Sequence, residues 1–199
     1  MPICRREFAS TISCKTASRY LAVPEPVPYR PDDLLEVLER HGVRYVVIGG
    51  LAAELRGSPY ITRDVDVTPS RDRANLRRLA AALRELNATL RISGVEGPVE
   101  FPLDEHSFAW GTTWTFVTDH GYLDIALLPD GTRGYDDLRR RATREQLTDD
   151  LQVDVASLAD VIRSKEAAGR EKDRAVLPIL RQVLERSRSV ERPGPEIGF

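Results

Sequence analysis

The stretch Tyr45–Thr68, YVVIGGLAAELRGSPYITRDVDVT, constrains this chain more than any other. Tyr45-Val46-Val47-Ile48 is an apolar, β-branched run and predicts a buried strand. Gly49 and Gly50 follow at once, and two residues without Cβ let the backbone turn tightly and approach a ligand. Leu51–Arg56 predicts a short helix whose unpaired first amides attract phosphate. Gly57-Ser58-Pro59 breaks it. The chain returns as Asp64-Val65-Asp66-Val67, a period-two strand with both carboxylates on one face and both valines on the other. Two carboxylates on one strand face repel, and a divalent cation with oxygen ligands offsets that repulsion. A bare DxD is most simply a solvated edge strand. Following a strand, a glycine pair and a helix, it points to a phosphate and metal site.

Elsewhere the chain supplies a frame for that stretch. Its 199 residues predict one domain, at about 150 residues per domain, with room for a small second lobe. Net charge is −2, so a nucleic-acid signal has to be local. The two cysteines, Cys4 and Cys14, suggest neither a disulfide framework nor a metal knuckle. No apolar run reaches membrane-spanning length, and residues 1–20 lack a secretory signal, so the expectation is a cytoplasmic protein without a membrane partner. The 29 basic residues include only three lysines, Lys15, Lys165 and Lys172, which singles out the last two as places where a compact ammonium is wanted.

Taken in order, residues 1–30 predict a flexible arm. Residues 31–130 form the core, 131–190 a helical carboxy-terminal lobe and 191–199 a tail, with fraying from about 188. Pro31–His41 predicts a first helix, with acids at its start and Gly42 at its exit. Ser70 predicts the cap of a helix of about twenty residues. Off that helix's apolar stripe lie Arg71, Arg73, Arg77, Arg78 and Arg84, either a solvated face or a phosphate-contacting ridge. Glycines and prolines across 90–112 imply turns, and His106 there reads as structural. Thr113–Val117 and Tyr122–Leu128 predict a β-hairpin. Asp124 sits opposite the apolar Leu123, Ile125 and Leu127, and a charge centred in such a strand needs a partner or a metal. Asp136–Gln146 predicts a helix carrying Arg139, Arg140, Arg141 and Arg144. Leu151–Val155 predicts a strand, whose Asp154 is a weaker candidate acid than Asp124. Ser157 with Asp160 resembles a capping box. A last helix follows Gly169, with Pro178 fitting only if that helix starts late or bends.

The pairing of Gly49-Gly50 with DVDV thirteen residues on resembles the signature of the polymerase-β-like nucleotidyltransferase superfamily. The resemblance implies an α/β (α+β) fold, with a mixed sheet flanked by helices and a small helical carboxy-terminal lobe. It implies a nucleotidyltransferase in which Asp64, Asp66 and a third acid, Asp124, hold Mg²⁺, while Gly49, Gly50 and Lys165 hold a nucleoside triphosphate. There is no Walker-type GxxxxGK[ST]. Together with SKEAAGREKD, the motif looks like the AbiEii and MenT-type toxins of bacterial toxin–antitoxin systems. That likeness carries Lys165 and Asp173 over as site residues, with Arg170 and Lys172 beside them. It implies transfer of nucleotides, CTP or UTP favoured, to the 3′ acceptor end of tRNA, blocking aminoacylation, and an antitoxin partner. Thr62, two positions before Asp64, is the matching candidate for inactivating phosphorylation. The chain is shorter than many AbiEii relatives, which leaves open two other acceptors, a small hydroxylated molecule or a protein side chain. A non-catalytic module on the same fold is the third alternative.

Overall fold

The computed structural model describes residues 27–95, 97 and 99–191. Cys4, Cys14, most of the amino-terminal arm and the tail beyond 191 lie outside the described residues.

A seven-stranded mixed sheet organises the chain, in the order β3-β4-β5-β2-β1-β7-β6. Its centre is β1 (Tyr45–Ile48) beside β2 (Asp64–Pro69), antiparallel, with Ile48 opposite Asp66. All four β1 residues are buried, as expected for a strand covered on both faces. β2 alternates as its sequence demands, with Val65 and Val67 buried and Asp64 and Asp66 on the other face. β5 (Gly121–Ala126) runs parallel to β2 and antiparallel to β4 (Thr113–Thr118). β3 (Thr89–Leu90) closes one edge, while β7 (Gln152–Val155) and β6 (Thr143–Gln146) extend the other.

Helix α1 (Pro31–Arg40) has Pro31 at its first turn, Asp32 and Asp33 behind it, and Leu34, Leu35, Val37 and Leu38 buried. α2 (Gly49–Leu55) begins on the glycine pair itself. α3 (Arg73–Glu85) is shorter than predicted and is capped by Asp72, not Ser70. The reason is local: the Asp72 carboxylate accepts from the Asn75 amide at 3.0 Å, while the Ser70 hydroxyl donates to Asp72 at 2.8 Å. Phe101, Phe108, Trp114 and Phe116 pack edge-on and tilted, pinning the 99–112 loop to the sheet.

The predicted helix over Asp136–Gln146 is corrected. α4 (Tyr135–Arg139) lasts five residues, and 143–146 is strand β6, paired with β7. Stretch 131–156 thus adds two strands to the central sheet, and only the residues after it are purely helical. The misreading has a physical source: the arginines that looked like a helix face serve as ion-pair partners for acids on neighbouring elements. Arg139 meets Asp154 at 3.0 Å, Arg141 meets buried Asp160 at 2.7 Å and Arg144 meets Glu39 at 3.0 Å.

α5 (Leu158–Ala168) starts at Ser157, whose hydroxyl accepts from the Asp160 amide, and ends at Gly169 in the left-handed region. α6 (Glu171–Glu191) begins two residues later and contains Pro178. It continues past 188, where fraying was expected. No helix among the described residues is long and apolar enough to cross a membrane.

Candidate active site

β2 and β5 are parallel neighbours, and Asp66 faces Asp124 directly across the pair. Asp64, two residues before Asp66, shares their side of the sheet. All three acids line one cleft of about 490 Å³. Its walls are the glycine turn, the loop carrying Tyr60, Ile61 and Thr62, the end of β5, and the facing sides of α5 and α6. Lys165, Arg170, Lys172 and Asp173 line it as well, together with Gly49, Gly50 and Thr62. Asp154, the weaker candidate, is held by Arg139 and Arg144 instead, and is absent from the cleft wall.

The glycine pair is there for the acids as much as for any ligand. Gly49 has φ +66°, and a Cβ on it would overlap the Asp66 carboxylate. A Cβ on Gly50 would come 2.5 Å from the Thr62 hydroxyl. The Gly50 amide donates to Asp66 Oδ2 at 3.4 Å, and the Thr62 hydroxyl donates to Asp64 Oδ1. This requirement on Gly49 and Gly50 could not be read from the sequence, because it depends on β2 returning beside β1.

The electrostatics are those of a site short of positive charge. Burial, then the charges of Asp64 and Asp124, push the Asp66 carboxyl up to about 7, against the Gly50 amide and Lys165. Burial and Asp64 also raise Asp124, opposed by Thr115 directly across from it and by Lys172 and Arg91. Asp124 Oδ1 is buried with no hydrogen-bond partner among the described residues. Leaving such an oxygen unpaired is costly.

These features fit a hard divalent cation, which takes oxygen donors and would relieve both the repulsion and the orphaned oxygen. Among the described residues no three acidic, imidazole or thiol groups are placed to hold a metal ion as they stand. Asp64, Asp66 and Asp124, which share a face of the sheet, are the side chains that would hold such an ion.

Lys165 reaches the cleft from α5 and is held by Asp173, Nζ to Oδ1 at 3.1 Å. Asp173 is 1% exposed and also accepts from Arg170 at 2.6 Å. Two cations keep its carboxyl below the usual range despite burial. Asp173 is thus a positioning residue for the two basic side chains.

The sequence reading missed Thr115 and Arg91, both near Asp124, and Ile61 and Leu128, exposed apolar side chains on the cleft wall. Strand alternation could have found Thr115, which faces Asp124 in the hairpin register. The arginines of α3, read either as a solvated face or as a phosphate-contacting ridge, lie away from the cleft. Arg73 and Arg77 converge on Glu105, at 3.2 and 2.8 Å, Arg84 donates to the Leu103 carbonyl, and no α3 residue lines the cleft.

Comparison with known proteins shows the architecture, not the chemistry. No family model matches the sequence, and no curated protein matches it. Among solved structures, the chain is similar to the lincosamide antibiotic adenylyltransferase LnuA in its lincomycin-bound form. The TM-score is 0.50 at 13% identity, covering 76% of this chain and 94% of that one. It is also similar to a Thermotoga maritima protein provisionally described as a nucleotidyltransferase, with TM-score 0.47, 20% identity, and 79% and 96% coverage. The mixed sheet with its flanking helices is a nucleotidyltransferase fold.

Proposed function

We propose that this protein is a nucleotidyltransferase that moves a nucleotidyl group from a nucleoside triphosphate to an acceptor hydroxyl. The observation that carries the reading is the register of β2 and β5. It sets Asp124 opposite Asp66, with Asp64 beside them, at the glycine turn and under Lys165. Asp64, Asp66 and Asp124 are the residues that would hold Mg²⁺. Bound there, the ion supplies charge neutralisation at the phosphates and a lowered pKa for a coordinated hydroxyl. Lys165, steadied by Asp173, holds the outer phosphates as a point charge, with Arg170 beside it. Asp124 takes the acceptor's proton. The acceptor oxygen bonds to the α-phosphorus as the bond to the pyrophosphate oxygen breaks, and pyrophosphate leaves.

For the acceptor, the reading is the 3′ end of tRNA, with CTP or UTP as donor. The protein would then be a toxin that blocks aminoacylation and is restrained by a cognate antitoxin. Its support is the resemblance of GG-x13-DVDV and SKEAAGREKD to AbiEii and MenT-type toxins. Thr62 is the proposed modification site, since its hydroxyl contacts Asp64 inside the cleft. A phosphate there would bring about two negative charges against the carboxylates.

One observation favours a second acceptor class, a small hydroxylated molecule. The cleft wall carries Ile61, 81% exposed, and Leu128, 45% exposed, surfaces suited to an apolar ligand. LnuA is an adenylyltransferase of lincosamide antibiotics, but a fold shared at 13% identity does not choose between acceptors.

Incubation with each labelled nucleoside triphosphate, Mg²⁺ and total tRNA tests the first reading, with label expected in RNA. Label confined to small molecules would replace it with the second. A folded protein that transfers nothing would remove both.

A further inference from the structure

Two cations, Arg91 and Lys172, act on Asp124 without an acidic partner of their own. The chain leaves β3 at Leu90, and the Arg91 amide donates to the Thr115 carbonyl at 2.8 Å. Thr115 is the residue directly across from Asp124. The Arg91 guanidinium lies over the Tyr122 ring, 5.2 Å from its centre. Tyr122 is two positions before Asp124 on β5 and shares its face. Lys172 lines the same cleft from the start of α6. Both cations are exposed, and neither side chain has an ion-pair or hydrogen-bond partner among the described residues. Arg73, Arg77, Arg139, Arg140, Arg141, Arg144 and Arg163, by contrast, all face carboxylates.

We infer that Arg91, steadied on Tyr122, and Lys172 form the anion-binding side of the acceptor site. The hydroxyl presented to Asp124 then belongs to a molecule with phosphate close to that hydroxyl, a single-stranded nucleic-acid 3′ end. The inference rests on the nucleotidyltransferase reading and narrows its acceptor. The geometry divides the surroundings of the acids. Gly49, Gly50, Thr62 and the Lys165–Asp173 pair line the cleft, while Tyr122, Thr115 and Arg91 stand beyond its lining on the β4–β5 side of Asp124. A planar guanidinium stacked on an aromatic ring keeps its donor edge free, which suits a phosphate oxygen or an unstacked base. A neutral small acceptor has no use for two unneutralised cations at that end.

The test separates binding from chemistry. In the full-length Asp64→Asn protein, which cannot turn over, fluorescence anisotropy follows a short fluorescein-labelled single-stranded oligoribonucleotide. Adding Arg91→Glu should weaken binding by about tenfold or more, and Arg91→Ala should lower the log–log salt slope by about one. In the otherwise unaltered enzyme, Arg91→Ala should raise the KM for tRNA and leave the KM for the nucleoside triphosphate in place. Unchanged oligoribonucleotide binding in both variants would overturn the inference, and so would a rise in nucleotide KM in place of acceptor KM. Arg91-dependent binding with no transfer to any acceptor would overturn the catalytic reading and the acceptor site with it, leaving Arg91 on a nucleic-acid-binding surface. If transfer to tRNA is indifferent to Arg91, the catalytic reading stands and the inference falls.

Discussion

The arginines of α3 and the cations of the cleft have the same charge and opposite situations. On α3, Arg73 and Arg77 close on the Glu105 carboxylate, and together they push it down to about 2. In the cleft the surplus is negative. Asp66 is pushed up to about 7, and Lys165 alone is set against it by a buried acid of its own. Charge counted in a sequence is therefore not charge available to a ligand: the ridge is rich in arginine and partly neutralised by Glu105, whereas the cleft is acidic and unsatisfied.

The largest expected effect tests the cleft's half of that contrast. Asp66→Asn should reduce nucleotidyl transfer on the order of a thousandfold, measured by label incorporation. The same change should stabilise the metal-free protein. A buried carboxyl with its folded value raised to about 7 holds its proton longer than in the unfolded chain. The fold therefore loses stability as pH climbs from the ordinary aspartate range through 7. At pH 8, Asp66→Asn should recover about 4 kcal/mol, or roughly 10 °C in thermal midpoint. A fall in midpoint would show that Asp66 is already satisfied inside the protein.

Next in size is the glycine pair. Gly49→Ala places a methyl where the Asp66 carboxylate lies, at a left-handed φ of +66°. Strain of about 1–2 kcal/mol and a displaced acid follow. Transfer should drop by roughly a hundredfold, from misplacement of about an ångström. An active Gly49→Ala enzyme would mean that Asp66 can rotate away without harm.

Much of this site was legible before the fold was known. Period two in DVDV put Asp64 and Asp66 on one face, and the TWTFVTDHGYLDIA hairpin put Asp124 where a neighbouring strand could bring it alongside. Both signals are local, set by the pleat and a short turn. What remained hidden depends on partners distant in sequence. The arginines of 139–144 looked helical because no local pattern shows Asp154, Asp160 or Glu39 waiting across the fold. Glu105 was invisible as the sink for Arg73 and Arg77, which lie about thirty residues away. Ser70 and Asp72 both suit a helix cap, and only the Asn75 amide's choice of acceptor separates them.

A moderate effect is expected where the two regimes meet. Asp173 is buried like a core residue yet exists to hold Lys165 and Arg170. Asp173→Asn keeps its shape and removes its charge. Because Arg170 is 61% exposed and Lys165 19%, water takes over part of the loss, and about 2 kcal/mol of stability should go. Transfer should fall 10- to 100-fold, the usual range for a residue that orients another. The fall should appear in the nucleotide KM, since the released lysine serves the phosphates. If the loss fell wholly on the acceptor KM, Lys165 would belong to the β4–β5 side and the division of the surroundings of the acids would be wrong.

The smallest effect completes the contrast from the ridge's side. The double variant Arg73→Ala, Arg77→Ala should change nucleotidyl transfer by less than about twofold, because those guanidinium groups face Glu105 and line no part of the cleft. Its signature lies in Glu105 itself. The carboxylate's pairing contributes fully above the ordinary glutamate range and is lost as pH falls from there through about 2. Side-chain NMR of the wild type should therefore show Glu105 still ionised at pH 3, and in the double variant its titration should return toward 4.5, the usual glutamate value. A double variant that loses tRNA labelling severalfold while Glu105 titrates near 2 would show that the arginines reach outward to a phosphate backbone, and that the ridge is working surface after all.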